Sequence, residues 1–353
     1  MNRKINIKRM AGILLTLGIL ITLAAGCYKE GLPEEQDYFS KDMNYSINRF
    51  VVNLGRTNPF VNIFNADYSS EPLTFSILDV RHNDGSPAPE LRQEIPVKEW
   101  KEYYSGDEKS IAEITAKQQD GKSPVLYIRP NSGEIFFRNT DSSKVKIGTY
   151  RFDVKVSNGG GEKIFSDMQL DVRLPHPYEP YEYDDSTGLL LPPDEGGVIH
   201  PNQVSGVMDM LERTLPADSV NVYFVKTGDA KNTLTFKFFD EDSTIIPLTR
   251  FNMMQWDSLH YRSGMIGADV FPFAFNRRFD SDSTAVTYDI PNPFPVLADV
   301  SGNTDRASIT FKYNRASFGQ RKNASIGLSF AIYAPGEWQV IFKFKIDPKF
   351  DDD

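Results

Sequence analysis

Three features of this 353-residue sequence predict a mainly β protein. Many short segments alternate polar and apolar side chains and are rich in β-branched residues, which is the pattern of half-buried strands. The chain has 24 Gly and 22 Pro, which suit many tight turns, and 25 Phe and 16 Tyr, which can fill the space between two sheets. We therefore expect two β-sandwich domains, of which the second is a sandwich or a jelly roll.

Residues 1–26 have the pattern of an export signal. Basic residues at positions 3, 4, 8 and 9 precede an apolar run over 11–23, which is shorter than the roughly 20 residues that span a bilayer. Ala24, Ala25 and Gly26 then lead into Cys27, the only cysteine of the chain. Residues 23–27 resemble a bacterial lipobox, although Ala24 replaces the usual bulky residue three before the cysteine. The resemblance implies that Cys27 carries the acyl chains of a lipoprotein, and the alternative is an ordinary signal peptide followed by an incidental cysteine.

The charge of the mature chain argues against nucleic acid as a partner. Loss of the signal removes four positive charges and moves the net charge from −9 to about −13, whereas phosphate binding needs clustered Lys and Arg. With Cys27 acylated, no thiol is left for a disulfide, for catalysis or for a metal. We expect no cofactor, no bound metal, and a membrane contact through the lipid anchor at Cys27.

Residues 27–43 are polar, acidic and interrupted by proline. We interpret them as a flexible stalk that lifts the folded part off the bilayer. Their acidic stretch resembles the signal that sends lipoproteins to the cell surface in Bacteroidota.

The first domain is expected over 44–174. Its predicted strands cover 45–54, 73–80, 125–128, 134–137, 148–157 and 169–174. One helix is predicted over 108–119, with Ile111, Ile114 and Thr115 on one face and Asp107 as its N-cap.

The last strands of this domain have a recognisable order. A strand, a tight turn at 131–133 and a second strand are followed by a segment in which Tyr150, Phe152, Val154 and Val156 lie on one face. A glycine turn at 159–161 precedes the closing strand. This order resembles the closing strands of cadherin-like and bacterial Ig-like domains, and it implies an Ig-like sandwich without indicating a ligand.

A connector rich in Pro, Tyr and acidic residues is predicted over 175–201, semi-rigid because of its prolines. Within it, 189–191 are expected to pack on a neighbour.

The second domain is expected over 202–350. It is predicted to begin with a short helix over 203–213 and to continue with strands over 220–226, 233–239, 284–290, 307–314, 325–333 and 339–346. The last two strands are expected to form a hairpin through 334–337, where Pro335 and Gly336 follow the order of a type II turn.

No catalytic motif is present, and we expect no enzyme activity. The histidines at 82, 176, 200 and 260 lack both the i, i+4 spacing of a helical zinc site and a nearby cysteine. No nucleophile elbow, P-loop or dinucleotide-binding glycine pattern occurs in a strand-turn-helix context. The acidic stretches at 240–243 and 280–283 lack the spaced ligands of a calcium loop, so hairpin turns are the better interpretation and calcium the alternative.

Two aromatic clusters are the remaining candidates for ligand binding. Sugar-binding surfaces place Trp or Tyr rings against the apolar face of a pyranose, beside polar side chains that bind its hydroxyls. One cluster contains Trp100, Tyr103 and Tyr104, and the other contains Asn252, Gln255, Trp256, His260, Tyr261 and Arg262 in an expected long loop. The alternative is that Trp256 closes one end of the sandwich and that Trp100 belongs to the core, so that neither ring is a platform.

The chain as a whole resembles a family of Bacteroidota outer-membrane lipoproteins of similar length, with a Gly-Leu-Pro-Glu-Glu-x-Asp-Tyr motif at 31–38. Members of that family accompany SusC- and SusD-like glycan-uptake proteins. The resemblance implies a non-catalytic, SusE-like auxiliary protein, lipid-anchored in the outer membrane at the cell surface, that binds polysaccharide. The alternative is a structural or adhesive surface lipoprotein, fimbrial or protein-binding, without affinity for carbohydrate.

Overall fold

The computed structural model describes residues 37–102, 108–257, 259–261, 274–296 and 306–352. Within these ranges the chain has 48% strand and 7% helix, so the predicted mainly β fold class is confirmed. No helix in the same ranges combines the length and the hydropathy needed to cross a bilayer. Within these ranges two large buried cores, here called the N-terminal core and the C-terminal core, are accompanied by one small buried cluster.

The N-terminal core lies between a four-stranded sheet and a three-stranded sheet. In chain order the strands of this part are β1 (Asn44–Tyr45), β2 (Arg49–Asn53), β3 (Asn58–Phe60), β4 (Phe64–Asn65), β5 (Thr74–His82), β6 (Glu94–Trp100), β7 (Gln118–Pro124), β8 (Leu126–Ile128), β9 (Ile135–Phe137), β10 (Gly148–Asn158) and β11 (Gly161–Arg173). The larger sheet has the order β2-β11-β10-β5 and the smaller one the order β3-β9-β8, while β1-β4 and β6-β7 form two-stranded sheets. β2 and β11 pair in parallel, from Arg49 opposite Gln169 to Asn53 opposite Arg173.

Side-chain alternation builds this core as the sequence predicts. β10 buries Tyr150, Phe152, Val154 and Val156 on one face of the larger sheet. The tight turn before β9 depends on Gly133, which has φ +71° and whose added Cβ would lie 2.6 Å from the ring of Phe75.

The α-helix is shorter than predicted. α1 spans Ile111–Ala116 rather than 108–119, and the Ser110 side chain caps it by accepting a hydrogen bond from the Glu113 backbone. Asp107, the predicted N-cap, lies outside the described residues. The residues after it form β7, which pairs with β6. Pairing between these strands supplies backbone hydrogen bonds that override the local helical pattern.

The C-terminal core lies between two larger sheets. The strands are β12 (Tyr178–Glu179), β13 (Gln203–Ser205), β14 (Val220–Gly228), β15 (Thr233–Phe239), β16 (His260–Tyr261), β17 (Phe275–Phe279), β18 (Ala285–Asp289), β19 (Ala307–Ser317), β20 (Gln320–Ile332) and β21 (Glu337–Phe344). One sheet has the order β12-β20-β19-β16, with β13 also paired to β20, and the other has the order β14-β21-β15-β18-β17. The ring of Phe311 on β19 lies 4.8 Å from Phe238 on β15 and 5.3 Å from Phe342 on β21, so the two sheets pack face to face.

The helix predicted over 203–213 is wrong. Its first residues form β13, and the following turn is held by Asp209, whose Oδ1 accepts hydrogen bonds from the backbone N–H groups of Leu211 and Arg213. A short acidic side chain that binds nearby backbone groups competes with helical hydrogen bonding.

The hairpin predicted between the strands at 325–333 and 339–346 is also wrong. β20 and β21 belong to different sheets, so the turn that contains Pro335 and Gly336 carries the chain across the sandwich. Alternation places both bounds of β21 within two residues and finds the end of β20, although β20 begins five residues earlier than predicted. It does not identify the partner of a strand.

Parts of the predicted stalk and connector are packed against the folded cores. Met43, placed at the end of the stalk by the sequence, is fully buried in the N-terminal core. Tyr178 of the connector is buried in the C-terminal core and forms β12 with Glu179. In contrast, Leu189 and Leu190, expected to pack on a neighbour, are 69% and 59% exposed.

Glu179 joins the two parts of the molecule. Its Oε1 lies 2.9 Å from Arg56 Nη1 and 3.0 Å from His176 Nδ1, and its Oε2 lies 3.0 Å from Arg306 Nη2. The guanidinium carbon of Arg56 also lies 4.6 Å from the centre of the Tyr333 ring. This junction therefore ties the N-terminal part, the connector and the C-terminal part together.

The directions of β11 and β20 show which end of each part lies beside the connector. Asn158, just before β11, donates a hydrogen bond to the Tyr38 carbonyl, and β11 then runs to Arg173 beside the connector. β20 ends beside the connector at Ile332, which pairs with Tyr178, so its first residue lies at the far end of the C-terminal part.

Candidate functional site

Trp256 lies at the edge of the C-terminal core and is half-buried. Its ring centre is 6.5 Å from that of Phe251, nearly perpendicular to it, and 6.0 Å from that of Phe311. Its backbone carbonyl accepts a 2.5 Å hydrogen bond from the Tyr288 hydroxyl. Part of the indole therefore belongs to the core while part stays accessible to solvent.

The loop that carries Trp256 is fixed to β19. Phe251 is buried, and Asn252 exchanges two hydrogen bonds with the backbone of Asn314, at 2.8 and 2.9 Å. The Met253 N–H donates to the Lys312 carbonyl at 3.2 Å. These backbone contacts hold the indole in a defined position.

Phe279 extends the aromatic surface beside Trp256. It is the last residue of β17, which is an edge strand among the described residues, and it is 41% exposed. Its ring lies 5.6 Å from the indole at 84°. Four of the five residues of β17 are exposed. A large exposed ring next to a half-buried one is the arrangement on which a sugar ring can stack.

An exposed ion pair borders these rings. Arg277 Nη1 lies 2.9 Å from Asp257 Oδ1, and the guanidinium carbon lies 5.4 Å from the centre of the Phe279 ring. The Asp257 side chain is 82% exposed. Exposed pairs of this kind contribute little to stability, so their hydrogen-bonding groups are available to a ligand at small cost.

Trp100, the last residue of β6, lies near the end of β17 opposite to Phe279. It is half-buried against a small cluster formed by Ile114, Phe275 and Val296. Phe275 is the first residue of β17, and Phe279 is the last, roughly 13 Å further along at the usual rise per residue. Trp100 and Trp256, one residue from each aromatic cluster that the sequence indicated, thus lie near the two ends of β17.

Polar groups occupy β17 between these ends. Asn276, which has φ +51°, bulges from the strand and donates to Asp289 Oδ2 at 2.8 Å. Arg278 donates to Asp289 Oδ1 at 2.7 Å, and this hydrogen bond, with that of Asn276, holds the pKa of Asp289 below its usual value. We call the surface formed by Trp100, β17 and Trp256 the β17 strip.

The other residues proposed from sequence are only partly placed. Gln255 is exposed directly before Trp256. Tyr261 lies in β16, paired with Ala307 of β19. Cys27, Tyr103, Tyr104 and Arg262 lie outside the described residues.

Sequence reasoning missed Phe279 and Arg277. The bulge at Asn276 interrupts the alternation of β17, so the segment has no clear strand pattern. Aromatic residues at both ends of the five-residue run Phe-Asn-Arg-Arg-Phe were the available signal.

The two acidic stretches form turns between strands. Asp240 Oδ1 accepts hydrogen bonds from the N–H groups of Asp242 and Thr244, and Asp280 Oδ1 accepts from those of Thr284 and Ala285. In the described part of the chain, no three His, Cys, Asp or Glu side chains are grouped as metal ligands.

Truncation of Trp256 should have a moderate structural effect. We expect Trp256→Ala to lower the free energy of unfolding by about 2 kcal/mol, less than the roughly 3–5 kcal/mol of a fully buried ring, because the indole is only half-buried. Urea titration followed by tyrosine fluorescence measures this change. Trp256→Phe is the control and should retain most of the stability; an unchanged midpoint for Trp256→Ala would mean that the ring does not support the core.

Comparison with known proteins gives a family but no established activity. No curated protein matches the sequence. Among solved structures, a SusE-like surface located polysaccharide binding protein from the Bacteroides thetaiotaomicron heparin utilisation locus is similar over 86% of this chain and 53% of that chain, with 9% identity and a TM-score of 0.23. The match thus spans about half the length of that protein. The family described as "Domain of unknown function (DUF5007)" matches residues 64–352, most of the sequence, and the chain therefore belongs to the DUF5007 family.

Proposed function

We propose that this chain is a non-catalytic glycan-binding lipoprotein of the outer membrane, anchored at Cys27 and facing the cell surface. It acts as an auxiliary protein of a polysaccharide-uptake system, in the manner of SusE-like proteins and beside SusC- and SusD-like partners. The lipobox-like end of the signal and the motif at 31–38 support the location.

The observation that carries the binding proposal is the β17 strip. It offers two half-buried Trp rings and the exposed Phe279 at the ends of a strand whose middle carries Asn276 and two arginines. Rings supply stacking surfaces for pyranoses, and the polar groups between them supply hydrogen bonds to hydroxyls. A strip of this length fits a chain of several sugar units better than a single sugar.

The structural or adhesive alternative receives less support from the same strand. Assembly by strand addition needs a long, flat edge with free backbone groups. β17 is only five residues long, is bulged at Asn276 and carries two adjacent arginines, features that discourage edge-to-edge pairing.

Phe279→Ala is the sharpest test of glycan binding. We expect this change to lower the affinity for any polysaccharide that the wild type binds at least tenfold, which is about 1.4 kcal/mol, because a stacked ring is lost. Its free energy of unfolding should fall by less than about 1 kcal/mol, because the ring is largely exposed. A glycan array of plant and animal polysaccharides, followed by affinity electrophoresis in gels containing each hit, measures the affinity of the full chain.

Phe318→Ala is the matched control, because Phe318 is 80% exposed at the turn between β19 and β20, away from β17. Its affinity should equal that of the wild type. Equal affinities for the wild type and Phe279→Ala, or the absence of any array signal, would count against the strip as a glycan site.

A further inference from the structure

A polar cavity of about 280 Å³ opens on the outer face of the larger N-terminal sheet, distant in sequence from the β17 strip. Its polar lining comes from Arg49 of β2, Thr149 of β10, Gln169, Asp171 and Arg173 of β11, and Ser186 of the connector. The volume lies just below the roughly 300–1,000 Å³ of small-molecule sites, so the cavity has room for one small unit.

Asp171 is the buried centre of this cavity, with a side chain that is only 3% exposed. Its Oδ2 accepts from Arg49 Nε at 2.6 Å, and its Oδ1 accepts from Thr149 Oγ1 at 2.8 Å and from Gln169 Nε2 at 2.9 Å. Burial raises the pKa of Asp171, but these hydrogen bonds outweigh it and bring the pKa below the ordinary value. The carboxylate is therefore ionised and orients the donors around it.

The cavity keeps unused positive charge after Asp171 is neutralised. Two guanidinium groups, those of Arg49 and Arg173, line it against a single carboxylate. Arg173 Nη2 is 4.0 Å from Asp171 Oδ2, and within the described ranges Arg173 Nε is buried without a hydrogen-bond partner. Both guanidinium groups are partly accessible, with exposed side-chain fractions of 58% for Arg49 and 28% for Arg173, so an acidic ligand can approach them.

The cavity is open to solvent on one side, and the connector forms one of its walls. The Leu174 N–H donates to the Asp185 carbonyl at 2.8 Å, which holds Ser186 beside the sheet. Gly148 has φ +148°, which favours glycine, and a Cβ there would meet no atom within 4 Å. A ligand can therefore reach the polar side chains past Gly148.

We propose that this cavity binds the carboxylate of a sugar acid, a hexuronate unit. A guanidinium fork matches a planar carboxylate with two parallel hydrogen bonds, and the two guanidinium groups beside Asp171 carry one more positive charge than Asp171 neutralises. Thr149 already donates to Asp171 and Ser186 to Asp184, so their hydroxyl oxygens can accept hydrogen bonds from sugar hydroxyls. The amide of Gln169, which gives one hydrogen to Asp171, keeps a second N–H for a sugar oxygen. This site is independent of the β17 strip and shares no residue with it.

The test uses the full chain in detergent with free monosaccharides as probes. Saturation-transfer NMR and calorimetry at low salt should show binding of D-glucuronate or D-galacturonate at least tenfold tighter than of D-glucose or D-galactose. Arg173→Gln should weaken uronate binding at least tenfold, and Arg151→Gln, the same change on the same sheet face outside the cavity, less than twofold. Raising the salt concentration should weaken binding to the wild type, since the attraction is between charges.

Arg173→Lys keeps the charge but loses the fork, so it should fold as the wild type and bind at least threefold more weakly. Equal binding of neutral sugars, equal binding of glucose 6-sulfate, or equal losses for Arg173→Gln and Arg151→Gln would each overturn the proposal. None of these outcomes bears on Phe279 or on polysaccharide binding by the β17 strip.

Discussion

Cys27→Ser is expected to abolish lipid attachment entirely. Wild-type protein should incorporate a clickable fatty-acid analogue and sediment with the outer membrane, whereas the variant should carry no label. It should either leave the membrane fraction or accumulate with an uncleaved signal, because Cys27 is the only thiol that could be acylated. The expected change is all-or-none, because several acyl chains together make membrane attachment stable and the variant would have no acyl chain to attach it.

The control for this experiment is Ser40→Ala, a serine beyond the proposed anchor, which should be labelled like the wild type. Equal labelling of the wild type and Cys27→Ser would contradict the lipoprotein assignment and leave an ordinary export signal. Protease treatment of intact cells then reports whether the folded part faces outward.

Glu179→Gln should produce the largest stability loss of any single polar change at the junction. Burial raises the pKa of Glu179, but the hydrogen bond with His176 and the charges of Arg306 and Arg56 outweigh it and bring the pKa from 4.5 to about 2. The difference between the folded and unfolded pKa corresponds to about 3 kcal/mol of stability at neutral pH. The variant leaves two arginines facing a neutral amide, which costs a similar amount.

The pH dependence of this effect has a defined sign. A carboxylate whose pKa is lowered on folding contributes fully above its unfolded value of about 4.5, and the contribution is lost as the pH falls toward about 2. Urea titrations of the wild type and Glu179→Gln should therefore differ by about 3 kcal/mol near pH 7 and converge in acid. Glu162→Gln, which removes an exposed pair with Lys155, should cost less than about 0.5 kcal/mol at any pH. A constant gap across this pH range would show that the loss comes from packing and not from the charge of Glu179.

Strand positions were the part of the fold that local sequence determines best. β15 lies at the predicted residues, and β10 and β14 differ by one or two, because one face of each strand meets a core and alternation records it. Pairing partners were less accessible, as the separation of β20 and β21 into different sheets illustrates. Which sheet a strand joins depends on contacts made by residues far apart in sequence, and those leave no local signal.

In the candidate site, too, the sequence indicates single residues but not which residues come together. Trp100 and Trp256 stand out by residue type, but their relation to the two ends of β17 depends on the packing of Phe275 and Phe279. The cavity around Asp171 had no sequence signal at all. Most of its polar side chains come from the outward faces of three strands, where polar residues ordinarily indicate only contact with water.

The parallel pairing of β2 with β11 has a mechanical consequence. A pull between the start of the described chain and the C-terminal part draws β2 toward its first residue and β11 toward its last, along a common axis. Hydrogen bonds loaded in this shearing direction share the force and must break together, whereas those at a peeled edge break one at a time. A protein held at its N-terminus while gripping a polymer under flow would thus meet the load with the strongest geometry that a β-sheet provides.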